Sequence, residues 1–216
     1  MQQRTLSAEE VLTTTRAVRR RLDLQRPVDR EVIEGCLRIA FQAPNGSDQQ
    51  TWGWVLVDDG PTKEQMATIY RCALRDFVDR PRETADHTQR TPQEEAKQRR
   101  MADSVMFLTD HSADVPVLLV PTFRGRVEHE GVFWQASRWG SIAPGVWSFM
   151  LALRLHGLGS AWTTLHLLRE REMGALLGIP ETETQAGLFP VAYTLGTNFK
   201  VVDRSKSETQ IHWNHW

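Results

Sequence analysis

The chain has 216 residues, of which 40% are hydrophobic and 25% charged, and this balance predicts one globular domain with a sizeable core. The formal net charge of −1 excludes a global field that would attract nucleic acid or anionic lipid. No apolar run approaches the roughly 18 residues of a membrane span, and the opening MQQRTLSAEE lacks the apolar core of a signal peptide. We therefore expect a cytoplasmic protein with no nucleic-acid and no membrane partner.

The first elements along the chain are predicted to be helices. Ser7–Glu10 matches a capping box, which predicts a short helix running towards Thr15. Apolar residues recur at helical spacing over 28–40 and predict a second helix, for which Asp29 is a candidate cap. Pro44 ends this pattern and opens a polar loop, because proline cannot continue a helix.

A strand, a turn and a third helix are predicted after the loop. The segment WGWVLVD (52–58) has strand character, and Asp58–Pro61 has the composition of a turn. Thr62–Gln65 is a second capping-box match and precedes apolar residues at helical spacing as far as Phe77. Further on, VPVLLVP (115–121) is the most apolar run and predicts the central strand.

Two segments lack a regular pattern. Residues 79–100 are polar and charged, with almost no large apolar side chains, so we expect a mobile loop or a lid there. Helical spacing returns only at Met101–Leu108. Residues 123–140 form a second irregular segment that is rich in aromatic side chains. Both segments are candidates for shaping the mouth of a pocket.

The strongest helical pattern covers residues 141–157, where Gly157 suits a left-handed C-terminal cap. The remaining predicted elements are a strand at 158–164, a short helix at 168–177 and a strand at 188–196. The polar tail ends in Trp213 and Trp216, which is typical of a docked arm. Periodicity alone predicts helices mixed with a modest sheet, and it leaves parallel and mixed strand pairing open.

The usual catalytic and metal-binding motifs do not occur. The chain contains no GxSxG, HExxH, GxGxxG or P-loop sequence. Cys36 and Cys72 share no motif spacing, and Cys36 falls on the apolar face of a predicted helix, as a core thiol does. His212 and His215 are three residues apart, but this pair is a weak metal signal, so we expect a structural or surface role and no metal site.

Three polar features favour a cofactor site when they are taken together. Arginines cluster at 16–21, a loop at 44–50 offers amides, a hydroxyl and backbone donors, and Arg204 lies in the polar tail. Taken singly, each feature is also explained as a solvated basic turn, an ordinary polar turn or a surface arginine. Their conjunction in this order distinguishes the sequence.

That conjunction resembles the FMN-dependent nitroreductase family. TTRAVRRRLDLQRPVDREVIEGCLRIAFQAPNGSDQQTWGWVLV (14–57) is similar to the opening of the family, with its R-[ST]-x-R turn and A-P-S-x-x-N-x-Q-P-W loop. PGVWSFMLALRLHGLGSAWTTLHL (144–167) resembles the second family block, and GIP (178–180) with FPVAYTLGT (189–197) resembles the third. The TTRAVR, WTTLHL and HW-x-x-W features resemble an actinobacterial-type branch.

The resemblance implies an α+β fold with a central, mostly antiparallel sheet flanked by helices. It implies one flavin-binding domain over 1–216, with 79–100 and 123–140 as variable lid-like segments. It also implies an intertwined homodimer that exchanges C-terminal arms (198–216), with FMN at the interface. The implied chemistry is a ping-pong transfer of hydride from NADPH or NADH, through flavin N5, to a small electron acceptor such as a nitroaromatic or a quinone.

The resemblance also implies which residues contact the flavin. Arg16, Ala17 and Arg19 match the basic turn, with Arg19 as the candidate for the positive group near N1/O2. Arg204 matches the closing arginine that binds the phosphate, with Lys200 as a candidate helper. Thr163, Thr164 and Leu165 match the segment next to flavin N5, with the backbone of Thr164 and Leu165 facing that atom. The loop that approaches the flavin from the other subunit is matched by Pro44, Asn45, Gly46, Ser47, Asp48 and Gln49.

Several positions depart from the family pattern. Ala17 replaces the common serine or threonine and therefore has no hydroxyl to offer the cofactor. Asp48 replaces the usual asparagine and Thr51 the usual proline. A carboxylate near N1/O2 would oppose reduction of the flavin, unless it pointed away or paired with an arginine. Trp147 replaces a frequent glutamine and is a candidate for the pocket wall.

Two alternatives to a nitroreductase remain open at this point. A reductive dehalogenase or an enoate-type reductase on the same scaffold would share every residue named above. A non-enzymatic flavin-binding dimer is the other alternative, in which Asp48 and Ala17 have weakened the site. The resemblance does not decide between FMN and a deazaflavin, or between NADH and NADPH.

Overall fold

A computed structural model describes residues 5–80, 91–204 and 209–216 of the chain. Its helices are α1 (Ala8–Thr14), α2 (Arg30–Ala40), α3 (Gly60–Asp79), α4 (Pro92–Asp110), α5 (Val132–Leu155) and α6 (Glu170–Leu177). Its strands are β1 (Trp52–Val57), β2 (Val117–Arg124), β3 (Leu158–Gly159), β4 (Glu183–Gln185) and β5 (Phe189–Tyr193). Short 3-10 turns lie at Gly46–Asp48, Ser112–Asp114 and Leu165–Arg169.

The sheet is built around β2, and all pairings between its strands are antiparallel. β1 pairs along one side of β2, whereas β5 and β4 pair with successive parts of the other side. β3 lies beyond β5. The α+β fold with a mostly antiparallel sheet flanked by helices is therefore confirmed.

Both faces of β2 are buried, which explains its continuous apolar sequence. Because side chains alternate along a strand, Val117, Leu119 and Phe123 join a core with α2 and α5. Leu118 and Val120 point to the opposite face and join a second core with α3. The central-strand prediction is confirmed, and β2 holds the two cores together.

The early helices form as their sequence signals predict. Ser7 and Glu10 complete the capping box of α1 in both directions. Asp29 occupies the N-cap position of α2, although its side chain makes no capping hydrogen bond. Cys36 is fully buried in the α2 face, and this burial raises the pKa of its thiol to about 11, so it stays a protonated core residue.

The predicted turn at Asp58–Pro61 is wrong, because α3 already begins at Gly60. The Asp59 carboxylate accepts a hydrogen bond from the backbone N–H of Thr62, at 3.0 Å, and so caps the helix. Pro61 fits the first turn, where its missing N–H costs nothing. The capping-box match at Thr62–Gln65 is thus inside the helix.

Much of the predicted loop at 79–100 is also helical. Residues 81–90 lie outside the described residues, but α4 begins at Pro92. Thr91 and Glu94 form a second true capping box, a signal present in the sequence as T-x-x-E. Only Leu108 and Thr109, near its end, are buried, so a polar helix is stabilised here by its cap and by packing of its last turns.

Most of the irregular segment predicted at 123–140 belongs to two regular elements, and only residues 125–131 between them are irregular. Phe123 and Arg124 end β2, and α5 starts at Val132 rather than at residue 141. Pro144 lies inside α5, where the surrounding packing tolerates the absence of one hydrogen bond.

Smaller corrections concern the last part of the sheet. The strand predicted at 158–164 is regular only at Leu158–Gly159, and the helix predicted at 168–177 begins as a 3-10 turn at Leu165. β4 has no sequence signal, since three residues are too few to show a period. Gly157 does adopt a left-handed conformation after α5, with φ of 73°, as predicted.

Candidate functional site

The arginine-rich turn at 16–22 lies against the end of the sheet. Ala17 pairs with Ser160 in an isolated parallel bridge, and Val18 N donates to Ser160 O at 2.8 Å. Leu22 forms a second bridge with Thr194, just after β5. The turn therefore extends the sheet beyond β3 and β5 and presents its arginines there.

Arg16 is held by main-chain oxygens. Its Nη2 donates to the carbonyl of Lys200 and its Nε to the carbonyl of Thr14, at 3.3 Å. The structure therefore brings Arg16 and Lys200, two of the predicted site residues, together. Arg204 lies four residues further along the tail and is exposed.

Arg19 has a buried donor that the described residues leave without a hydrogen-bond partner, its Nε. The side chain lies close enough to Tyr70 for its charge to favour the ionised phenol. Burial nevertheless raises the pKa of Tyr70, against this charge and a hydrogen bond with Thr163. Tyr70 thus joins Arg19 to Thr163, a link that sequence reasoning missed because Tyr70 fits the apolar face of α3.

The segment Thr163–Leu165 is fixed to the sheet at its first residue. Thr163 exchanges two backbone hydrogen bonds with Leu188, at 3.1 and 2.8 Å, and its hydroxyl donates to the same carbonyl at 2.7 Å. Thr164 is exposed and precedes the 3-10 turn that starts at Leu165. The first N–H groups of such a turn have no partner inside the turn and face outward.

Ser160 carries a second buried polar atom without a partner in the described part of the chain, its hydroxyl oxygen. It is the residue paired with Ala17, and it lines a small pocket together with Arg16. The Ser160 residue, which has a hydroxyl, therefore lies opposite Ala17, which has none. A serine after GLG is the sequence signal for this residue, but nothing in the sequence connects it with Ala17.

The loop at 44–50, which follows α2, has a strained backbone. Ser47, Asp48 and Gln50 all have positive φ, of 53°, 54° and 40°, in a region that costs most L-residues about 1–2 kcal/mol. Asp48 is the best suited of the three, because aspartate and asparagine tolerate this conformation. The carboxamide oxygen of Asn45 stabilises the loop by accepting from Gln50 N at 3.0 Å.

The loop rests on α5 rather than on the arginine turn. The Ser141 hydroxyl accepts from Gly46 N and from Trp52 Nε1, each at 3.2 Å. A Cβ on Gly46 would touch Ser141 at 3.7 Å, an ordinary contact, so Gly46 is not required by crowding here. The predicted site residues thus form two groups, one at the end of the sheet and one on α5.

His166 follows Leu165 directly and is fully buried. Burial lowers its pKa to about 4, and the side chain of Gln185 opposes this shift. Gln185 in turn donates to the carbonyl of Glu170 at 2.8 Å, and the Glu170 carboxylate accepts from Arg126 at 2.6 Å. These bonds hold Glu170 at the start of α6, directly after the 3-10 turn, whereas neither ring nitrogen of His166 has a hydrogen-bond partner among the described residues. Sequence reasoning missed the network because its members come from separate segments.

A cavity of about 350 Å³ opens beside this network. It contains both acidic and basic side chains, and none of the predicted flavin contacts lines it. Its lining comprises Arg126, Glu128, His129, Glu170, Arg171, Gly174, Ala175, Ile179, Pro180, Glu181, Glu183 and Gln185.

The described ranges contain no group of three or more histidine, cysteine or acidic side chains placed to hold a metal ion. Over the same ranges, none of the helices combines the length and apolar character needed to cross a membrane.

Comparison with known proteins agrees with this architecture. The model of the Nitroreductase family matches residues 12–193. No curated protein matches the chain.

Several solved structures share the fold at low sequence identity. The FMN and NADPH-dependent nitroreductase NfnB from sphigopyxis sp. strain HMH is 20% identical, with a TM-score of 0.67 over 98% of this chain and 100% of that chain. NfnB from Mycobacterium smegmatis, in complex with NADPH, is 17% identical, with a TM-score of 0.68 over 96% and 98%. Iodotyrosine deiodinase bound to FMN and 3-iodo-L-tyrosine is 20% identical, with a TM-score of 0.65 over 91% and 97%.

The matched range begins inside α1 and runs to the last residue of β5, so it includes every strand of the sheet described above. It also includes the arginine turn, the strained loop and the Thr163–Leu165 segment. The chain belongs to the Nitroreductase family.

Proposed function

We propose that the protein is an FMN-dependent oxidoreductase that uses NADPH or NADH to reduce a small electron-poor molecule, by a ping-pong mechanism. The observation that carries this proposal is the donor set at the end of the sheet, where Arg16, Arg19 and Ser160 lie beside the fixed Thr163–Leu165 segment. Bound FMN would supply the hydride transfer. The protein supplies binding, orientation and charge, so a catalytic motif is not needed.

The cationic residues at the tail suit the phosphate of FMN. Arg16 already lies against the main chain of Lys200, and Arg204 follows on the same segment. A charge-assisted hydrogen bond contributes roughly 1.5–3 kcal/mol. Two or three of them would account for much of a micromolar affinity, which corresponds to about −8 kcal/mol.

Two partnerless polar atoms of the described residues fit the rest of the cofactor. The Arg19 Nε is a buried donor, and its guanidinium would stabilise negative charge that develops on the pyrimidine end of the flavin. The Ser160 hydroxyl would supply the hydrogen-bonding group that the Ala17 side chain lacks.

The segment after Ser160 would place a hydrogen-bond donor next to flavin N5. Thr163 uses its own N–H and hydroxyl in the bridge to Leu188, so it serves as the anchor. Thr164 and Leu165 then present the outward N–H groups of the turn. A backbone donor polarises the hydride acceptor without adding a base that would compete for protons.

The remaining predicted contacts require a second copy of the chain. The loop residues Pro44–Gln49 pack on α5, away from the arginine turn, and would reach the flavin of the partner subunit. α5 exposes Trp134 and Trp147 although its other face lies in the core. A helix that is apolar on all sides is normally buried on all sides. We therefore propose a homodimer that has α5 at its interface and exchanges the 198–216 arms.

The proposed substrates are nitroaromatics and quinones. A second candidate, reductive dehalogenation, is favoured by the similarity to iodotyrosine deiodinase, whose fold matches at a TM-score of 0.65. Both reactions would use the same residues of this chain, and a substrate screen with each reductant separates them.

The purified protein should be yellow, with the absorption bands of oxidised flavin, and should oxidise NADPH or NADH when a quinone or nitroaromatic is added. Arg204→Ala should weaken FMN binding and bleach the protein, because it removes a cation that binds the phosphate. Arg99→Ala, which removes an exposed arginine of α4, is the matched control and should stay yellow. A colourless wild-type protein that takes up no added FMN would refute the proposed function.

A further inference from the structure

Three arginine side chains from separate parts of the chain hold the start of the tail. Arg16 and Arg21 belong to the N-terminal turn, and Arg154 to the last turn of α5, where it is buried. Each donates to main-chain carbonyl oxygens of the segment that follows β5. The acceptors are Leu195 (3.0 Å) and Gly196 (2.6 Å) for Arg21, Thr197 (2.9 Å) for Arg154, and Lys200 for Arg16.

Phe199 lies at the centre of these arginines. The guanidinium carbons of Arg21, Arg154 and Arg16 are 4.3, 4.8 and 5.6 Å from the centroid of its ring. All three distances are within the range of a cation–π interaction, about 6 Å. The ring is half-buried and also packs against the apolar core on the α3 side of the sheet. We name these four residues the Phe199 cage.

The cage concentrates positive charge at a point where the tail begins. Carbonyl oxygens have no net charge, so the hydrogen bonds of Arg16 and Arg21 orient these groups without neutralising them. The like charges of Arg16 and Arg21 repel one another, and the ring face offsets only part of that repulsion. A bound anion would offset more of it.

The cage also sets the orientation of Arg16. Its Nη2 is engaged by the carbonyl of Lys200, and its guanidinium lies towards Phe199. If Phe199 left the cage, Arg16 would keep only its 3.3 Å hydrogen bond to the Thr14 carbonyl, and Lys200 and Arg204 would move away with the tail. One aromatic side chain thus helps to hold Arg16 beside the main chain of Lys200, on the segment that also carries Arg204.

We propose that Phe199 is a positioning residue for the phosphate end of the cofactor site, and that the cage couples docking of the tail to phosphate binding. The inference rests on the proposed function, since it takes Arg16, Lys200 and Arg204 as the phosphate contacts. Coupling between two binding events is reciprocal. A docked tail therefore raises the affinity for FMN, and bound FMN stabilises the docked tail.

The test compares FMN with riboflavin, which has the same ring system and no phosphate. Both affinities are measured by fluorescence titration of flavin-free protein. Phe199→Ala should weaken FMN binding by about tenfold or more and riboflavin binding by less than about twofold, as expected when one or more cation–π interactions are removed. Phe199→Leu keeps an apolar side chain but no ring face, so it should show the same selective effect. Val201→Ala, an exposed neighbour, is the control and should change neither affinity.

Hydrogen exchange provides a second readout that does not depend on these variants. The amides of residues 195–204 should exchange more slowly when FMN is bound, and riboflavin should have little effect on them. Arg21→Gln removes two hydrogen bonds to the tail but leaves Phe199 in place, so it serves if Phe199→Ala does not fold. It should weaken the binding of FMN selectively as well.

The outcomes separate this inference from the proposed function. A wild-type protein that binds neither flavin overturns the proposed function. A protein that binds FMN, but whose variants keep the wild-type ratio of FMN to riboflavin affinity, overturns only the role of the cage. Equal weakening for both flavins would indicate that Phe199 supports the fold in general, which also overturns that role.

Discussion

Strain at single residues distinguishes the loop at 44–50 from an ordinary turn. Ser47, Asp48 and Gln50 all adopt positive φ, and none is glycine. Such conformations persist only where the surrounding structure imposes them, and they are frequent at ligand sites. The strain therefore agrees with a loop that is shaped for a ligand rather than for stability.

Replacing Ser47 by glycine should stabilise the protein. Glycine adopts positive φ without a steric cost, so the gain of about 1–2 kcal/mol exceeds the roughly 0.5–1 kcal/mol of extra chain entropy. Urea denaturation of Ser47→Gly should give a higher midpoint than the wild-type protein. Ala102→Gly, at an exposed position of α4, is the control. It should lower the midpoint, because glycine in a helix reduces the free energy of unfolding by about 1 kcal/mol. A lower midpoint for Ser47→Gly would contradict the strained loop.

The buried His166 predicts a decrease of stability in mild acid. Its pKa is about 4 in the folded protein and about 6.5 in the unfolded chain. Because the pKa of His166 is lower in the folded protein, the contribution of the neutral imidazole to stability is fully present above pH 6.5. It is lost as the pH falls towards 4. The linkage of protonation to folding lowers the free energy of unfolding by about 2 kcal/mol between pH 7 and pH 5.

The measurement is the unfolding free energy of the wild-type protein and of His166→Asn at several pH values. The variant should be less stable at pH 7 but should show a flatter dependence between pH 7 and 5. His212→Asn, which removes an exposed histidine, should keep the wild-type slope. Equal slopes for all three proteins would mean that His166 does not titrate as a buried group.

At the scale of elements, α5 approaches β1 too closely to accept a side chain at Gly145. A Cβ at this position would lie 2.9 Å from the ring of Trp52, whereas a Cβ at Gly140, also in α5, would meet nothing within 4 Å. Packing against Trp52 therefore favours glycine at position 145, whereas no close contact favours it at position 140.

Alanine substitutions at these two glycines should have opposite effects. Gly145→Ala should destabilise the protein, since overpacking costs about 1–3 kcal/mol and outweighs the helix propensity gained. Gly140→Ala should stabilise it by up to about 1 kcal/mol. Thermal unfolding of the two variants measures both effects. A stabilised Gly145→Ala would show that Trp52 moves aside at little cost.

At the scale of the whole molecule, the described chain leaves large aromatic side chains uncovered. Trp213 is 85% exposed and Trp216 is fully exposed, at the end of a tail that begins in the Phe199 cage. Contiguous exposed apolar surface marks an interaction site. The proposed second copy of the chain would cover both the tail and the outer face of α5.

The protein should therefore have twice the 24.7 kDa mass of one chain in light scattering. Trp147→Arg on α5 should shift the protein to monomer, because a charge would be buried without a partner. Deleting residues 209–216 should weaken the dimer as well. Phe77→Arg, at an exposed position of α3, is the control and should leave the mass unchanged. A monomeric wild-type protein would refute the proposed arm exchange.

Sequence reasoning succeeded where one local signal sufficed. Capping residues and helical spacing predicted α1 and α2, and a run of apolar residues predicted β2. It failed at α4, because the polar composition of 92–100 hid the Thr91–Glu94 capping box. It also failed at β4, which exists only because β2 offers an edge to pair with.

The amino-acid sequence by itself determined the family, the two buried faces of β2 and the residue types available for a flavin site. These depend on order, spacing and periodicity along the chain. Only the tertiary structure showed that Ser160 stands opposite Ala17, that Tyr70 joins Arg19 to Thr163, and that three arginines enclose Phe199. Such contacts join segments far apart in sequence, and no local pattern encodes them, because they depend on how helices and strands pack.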